Sequence, residues 1–215
     1  ISISIMNTIN EQPGFQPDVK KGAKSAIYAV LFADALGKMY YATAVREKVK
    51  GIAKQLREEY LTKAVEFVRQ HKPTHLVGLM KEAAEAFNNA AVDRKAPRIG
   101  VVGEIFIKYN NYGQQHVVDW LVQHGIEPVI PALSEFFTQY FPNSKFNGKT
   151  NLEKNSFMTG FYRVLGETWM NHVSGKIDKA ASAFRYYEPN DSIHDGAKEA
   201  SQIVNLAAQF GEGWL

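Results

Sequence analysis

A chain of 215 residues can bury a sizeable core, as one large domain or two small ones. Its 45% hydrophobic and 22% charged residues are those of a globular protein, and no run approaches the roughly 18–20 uninterrupted apolar residues of a membrane span. The formal net charge of +3 is small and spread along the chain. The absence of cysteine removes disulfides, thiolate catalysis, zinc on sulfur and any iron–sulfur cluster held by this chain's own thiolates. The N-terminus carries no secretory signal, and the expected compartment is the reducing cytoplasm.

In chain order, Ile1-Ser2-Ile3-Ser4-Ile5 alternates as a strand does, without an initiator methionine. Pro13, Gly14 and Pro17 then mark a loop. Asp18 offers an N-cap for an apolar helix through Ile27, Val30, Leu31 and Leu36, expected to end near Gly37. Arg46, Lys48, Lys50 and Lys54, interleaved with Glu47, Glu58 and Glu59, read as a solvated helix face rather than a phosphate-tracking stripe, so no nucleic-acid partner is expected. Ile52, Leu56, Tyr60, Ala64 and Val68 recur at four-residue spacing, widened by Leu61 and Val65 into a core-facing stripe. Pro73 and Thr74 start a third helix with Leu76, Met80, Ala83, Ala84 and Phe87 on one face.

Beyond Pro97 the pattern changes. Ile99-Gly100-Val101-Val102-Gly103 reads as a strand, and Val117, Val118 and Leu121 as a helix closing at Gly125. Ile126 to Ile130 reads as a second strand, short or at an edge because of Pro128. Strand, helix, strand in so few residues is a β-α-β unit, with parallel strands. A short helix over Ala132 to Tyr140, a loop over Pro142 to Asn151, and a long helix marked by Phe157, Phe161, Leu165, Val173, Ile177, Ala181 and Phe184 follow. Ser192 and Asp195 resemble a capping pair for a last helix through Ala200, Ile203, Ala207 and Phe210. The fold class expected is helix-rich α/β, with a Rossmann-like β-α-β unit, a partial parallel sheet and a predominantly helical remainder. Residues 1–96 form a mostly helical region and 97–215 an α/β region. Gly211 to Leu215 open a new apolar run, and a piece of a longer protein is expected.

Glu104 to Gly113 leave the carboxyl end of the first strand, where open α/β sheets bind ligands. Glu104, Lys108, Asn110 and Asn111 are the candidate ligand-binding residues, with a helix near Gly113 supplying free backbone N–H groups. The bland alternative pairs Glu104 with Lys108 at the surface and packs the loop with its own aromatics. Gly100 and Gly103 lack the spacing of a dinucleotide fingerprint. Asn147-Gly148-Lys149-Thr150 has only the tail of a phosphate loop, because Asn143 stands where glycine is needed. His71 and His75 are separated by Pro73, so no metal site is expected. No serine, histidine and carboxylate stand in a nucleophile context, and no catalytic residue is assigned. The pairs Tyr40-Tyr41, Phe136-Phe137 and Tyr186-Tyr187 read as packing residues.

The stretch from Pro97 to Phe137, PRIGVVGEIFIKYNNYGQQHVVDWLVQHGIEPVIPALSEFF, resembles a block of the large acyl-CoA dehydratase activases, the activators of 2-hydroxyglutaryl-CoA dehydratase. EASQIVNLAAQFGEGWL, up to Leu215, resembles a stretch further along the same proteins. The resemblance covers residues 98–137 and 195–215 well and the first hundred more loosely. It implies a parent that uses ATP and a [4Fe–4S] cluster, both held outside this chain, to drive electrons to a dehydratase of CoA thioesters. This chain would be its dehydratase-subunit-like part, without a complete active site. The implied partners are the other domains of the parent, a dehydratase or a CoA thioester, with no membrane. The alternative is a non-catalytic interaction or scaffold module linking domains or subunits.

Overall fold

A computed structural model of the chain describes residues 19–152 and 156–206. In chain order its elements are α1 (Val19–Ala44), α2 (Ile52–Arg69), α3 (His75–Ala90), β1 (Arg98–Gly100), α4 (Ile105–Lys108), α5 (Val117–Gln123), β2 (Glu127–Val129), α6 (Leu133–Thr138), α7 (Tyr140–Lys149), α8 (Phe157–Ala181) and α9 (Ile193–Ala200). The fold is mostly helical, with one small parallel sheet of two strands among the described residues. The proposed strand at Ile1 to Ile5 and the helix positions expected at Ala207 and Phe210 lie outside the described residues; the last helix, expected to run on through Ile203, ends at Ala200, with Ile203 in an exposed turn.

The core belongs to four helices. Leu76, Met80, Ala83, Ala84 and Phe87 line one face of α3 and are all buried, as their spacing predicts. They meet Phe32, Leu36 and Met39 of α1, Tyr60 and Ala64 of α2, and Val173, Ile177 and Ala181 of α8. Phe184, just beyond α8, sets its ring edge-on to Phe87 at 6.3 Å between centroids. The buried core therefore draws on helices from both sides of residue 97.

α1 does not stop at Gly37. It runs on to Ala44, because Met39 and Ala42 beyond the glycine are buried. A glycine inside a helix costs about 1 kcal/mol relative to alanine, less than the burial of one large side chain. After α1 the chain does not continue as a charged helix face. Residues 45–51 form a turn, with an isolated antiparallel bridge between Glu47 and Ala91, and Arg46 points inward and is buried. The Glu47 carboxylate accepts from Gly51 N at 2.8 Å and Ala53 N at 3.3 Å, capping α2 where Gly51 has no side chain to do so. The α2 stripe is narrower than its spacing predicts: Tyr60 and Ala64 are buried, whereas Val65 is 47% exposed.

β1 and β2 pair in parallel, Arg98 with Glu127 through Gly100 with Val129. β2 packs on α1 and on α5. Gly125 follows the C-cap of α5 at φ 72°, the left-handed turn that lets the chain double back into β2. Residues 142–149, expected as a loop, are helical. Pro142 is the third residue of α7, within the first turn, where its missing N–H removes no helical bond. Pro142 and Asn143 are buried, and α7 packs against α6 and α9. α8 is continuous through Gly166 and Gly175, but only its second half is core. Phe157, Phe161 and Leu165 are exposed. Ser192 caps α9 through its backbone carbonyl, which accepts from Asp195 N and Gly196 N, with no side-chain cap bond.

Candidate functional site

A cleft of about 480 Å³ opens at the carboxyl ends of the two strands, between α1 and the segment around Glu188 to Asp191. That volume is within the range of small-molecule sites, which run from about 300 to 1,000 Å³. Its position follows from the sheet: parallel strands point their free ends to one side, and the chain leaves that edge on diverging paths.

α1 contributes one wall. Asp34, Lys38 and Tyr41, spaced four and three residues apart, share a helical face and all line the cleft, with Gly37 between them. Asp34 reaches across to the start of α6, where its carboxylate accepts from Leu133 N at 3.0 Å and Ser134 N at 2.9 Å. A carboxylate 100 residues away in sequence thus caps α6. Burial pushes the Asp34 carboxyl above its ordinary range, and these backbone and side-chain bonds pull it partly back. Lys38 donates to the Glu188 carbonyl at 3.0 Å and lies 5.8 Å from the Tyr187 ring. Burial holds its ammonium below the usual lysine range, opposed by the carboxylates of Glu135, Asp178, Asp34 and Asp191. Glu135 of α6, also on the cleft, is pushed up, mainly by burial.

The base of the cleft is an ion-pair network. Arg46 donates to Glu127 at 2.6 Å, and the second Glu127 oxygen lies 3.3 Å from Arg98, which in turn pairs with Glu188 at 2.6 Å. The Arg46 guanidinium stacks 4.3 Å from the Tyr186 ring and donates to the carbonyls of Arg94 and Ala42. The Nε and Nη1 donors of Arg46 thus meet acceptors supplied by α1, β2 and the chain at Arg94.

The loop candidates divide. Glu104 is the N-cap of α4, its carboxylate accepting from Phe106 N at 2.8 Å. The Asn110 side-chain oxygen accepts from Tyr112 N and Gly113 N at 2.9 and 3.1 Å, closing a turn. Asn111 accepts from the Gln114 amide at 3.3 Å. These three side chains are thus engaged in holding the loop. Lys108 is buried, lies 5.3 Å from the Tyr109 ring and is close enough to lower the Glu135 carboxyl. Tyr109 donates to the Pro131 carbonyl and lines the cleft, so the loop forms one of its walls. No helix starts near Gly113. Gln115 and His116 take left-handed conformations, and α5 begins at Val117.

Asp34, Lys38 and Glu135 are the site residues that sequence reasoning passed over. The signal was two charges, Asp34 and Lys38, four apart in the apolar stretch of α1 that begins at Ala26. The sequence Asn147 to Thr150 closes α7 and leaves carbonyls, not N–H groups, at its end, the wrong polarity for phosphate. The chain has no cysteine, and among the described residues no group of three or more His, Cys, Asp and Glu could hold a metal ion. These residues do not fit a sulfur-ligated cluster. No helix among the described residues is long and apolar enough to cross a membrane.

No protein-family model, no curated protein and no solved structure matches the chain.

Proposed function

We propose that this chain is a dehydratase-subunit-like module of an ATP-dependent, iron–sulfur activase acting in 2-hydroxyacyl-CoA dehydration in the cytoplasm. In this reading it contributes a ligand cleft and no complete catalytic site, and its two strands are part of a larger Rossmann-like sheet. ATP and the cluster belong to other domains of the parent. The observation that carries the reading is the cleft at the strand ends, walled by Tyr109 from the segment that bears the family resemblance. In this reading Tyr109, which lines the cleft, is the loop residue that meets a CoA thioester.

The test is thermal unfolding of the chain, with and without acyl-CoA thioesters, CoA and ATP. Saturable stabilisation by a CoA compound, lost in Tyr109→Ala, supports the reading. No stabilisation of the unaltered chain by any CoA compound overturns it.

A second reading, a scaffold linking domains or subunits, rests on a separate observation. The first half of α8 exposes Phe157, Met158, Phe161, Tyr162, Val164 and Leu165 over one broad face. An apolar helix face of this size is normally covered. Paired substitutions Phe161→Glu and Leu165→Lys that leave melting unchanged but abolish association with the parent's other domains support this reading. Unchanged association removes it.

A further inference from the structure

We propose that the α1 end of the cleft is a binding site for an α-amino acid with an apolar or aromatic side chain. The assignment stands apart from the activase reading, because it uses none of the loop residues 104–113 as polar partners.

Arg98 is taken up by Glu127 and Glu188, and Asp34 by the first two N–H groups of α6. Four charged groups remain uncommitted or partly so, one of them Arg57, which lines the cleft 5.0 Å from the Tyr40 ring. Lys38 uses one of its three donors on the Glu188 carbonyl and keeps two. Glu135 and Asp191 line the same cleft, lie within electrostatic reach of Lys38, and among the described residues close no hydrogen bond or ion pair with their carboxylates.

One ammonium with two spare donors beside two open carboxylates calls for a ligand with the opposite arrangement. An acceptor oxygen is needed at Lys38, and a cationic donor between Glu135 and Asp191. A hydroxyl in place of the ammonium offers one donor instead of three and brings no positive charge to Glu135 and Asp191. A simple carboxylate leaves both without a counter-charge. The zwitterion of an amino acid places the two groups on adjacent carbons and satisfies both. Tyr41, Val102, Tyr109, Val129 and Pro131 supply an apolar part of the lining, which suits an apolar side chain. Gly37 leaves open space where a side chain would begin, with nothing within 4 Å of an added Cβ.

The experiment is isothermal titration of the full chain at neutral pH with leucine, phenylalanine and glycine. The hydroxy acids 2-hydroxyisocaproate and 3-phenyllactate serve as controls of matched shape. Expected are saturable binding of leucine or phenylalanine, at least tenfold weaker binding of glycine, and at least tenfold weaker binding of both hydroxy acids. Glu135→Gln and Lys38→Met are expected to weaken the amino acid at least tenfold while melting as cooperatively as the unaltered chain. Gly37→Leu, which fills the cleft without removing a charge, is expected to abolish binding and retain the fold. The inference is overturned if the unaltered chain binds no amino acid, if the hydroxy acids bind equally well, or if a folded Gly37→Leu chain still binds. Stabilisation by CoA compounds without amino-acid binding would sink this inference and leave the activase reading standing, and the reverse result would do the opposite.

Discussion

Arg46 and Glu127 meet at 2.6 Å with both side chains almost completely withdrawn from solvent, joining the turn after α1 to β2 across 81 residues of sequence. A buried pair of this kind stabilises little relative to an apolar replacement, but losing one partner leaves a charge stranded. Arg46→Ala is therefore expected to lower the unfolding free energy by about 3–5 kcal/mol, whereas the double change Arg46→Met with Glu127→Leu costs markedly less. Urea denaturation of the single and double variants measures both. A double variant as unstable as Arg46→Ala would mean that the arginine's other bonds, to the carbonyls of Arg94 and Ala42, dominate.

Asp34 ties α1 to α6 through two backbone donors. Asp34→Ala removes the cap and is expected to cost about 1–2 kcal/mol, and Asp34→Asn, which keeps an acceptor oxygen, less. Amide hydrogen exchange at Leu133 and Ser134 is the direct readout. Protection unchanged in Asp34→Ala would show that α6 is held by packing alone.

Glu135 supplies a pH signature. Burial raises its carboxyl in the folded chain above the unfolded value of 4.5, so between those two values the folded state holds the extra proton. Its favourable contribution is full below pH 4.5 and is lost as the pH climbs through the folded value. Glu135→Gln, which cannot ionise, is expected to gain stability relative to the unaltered chain at pH 7 and to lose that advantage at pH 4. Chemical denaturation at the two pH values tests the sign. An advantage that grows toward low pH would contradict it.

Phe87 and Phe161 carry the same side chain with opposite fates. Phe87 of α3 is fully buried in the helical core against the Phe184 ring, and Phe161 is 54% exposed on α8. Phe87→Ala is expected to cost about 3–5 kcal/mol through lost transfer energy and the cavity left behind. Phe161→Ala should stay within about 0.5 kcal/mol in the isolated chain. Thermal melts of the two variants decide it, and a large loss for Phe161→Ala would mean that α8 is covered in solution.

The helical frame was legible because it is local. The stripe of α3 reads from Leu76 to Phe87 at helical spacing, and Gly125 ends α5 for a reason contained in one residue's backbone freedom. The two short parallel strands were likewise visible from their apolar runs and intervening helix. The misreadings arose where local signals pointed one way and burial another. Gly37 is a helix breaker in isolation, but the burial of Met39 and Ala42 carries α1 past it. Pro142 and Asn143 look like loop residues, yet a proline in the first turn interrupts no bond. Phe157 to Leu165 have the pattern of a core face with no core opposite them among the described residues.

By itself, then, the sequence determined where backbone hydrogen bonds could close locally: the helices, their apolar faces and the two strands. Only the tertiary structure decided which charges meet. Asp34 finds the start of α6, Arg46 finds Glu127, and Lys38 comes among four carboxylates because helices and strands distant in sequence pack together. Periodicity reports which face of an element turns inward. It carries no information about what stands on the other side, and the cleft is made of such encounters.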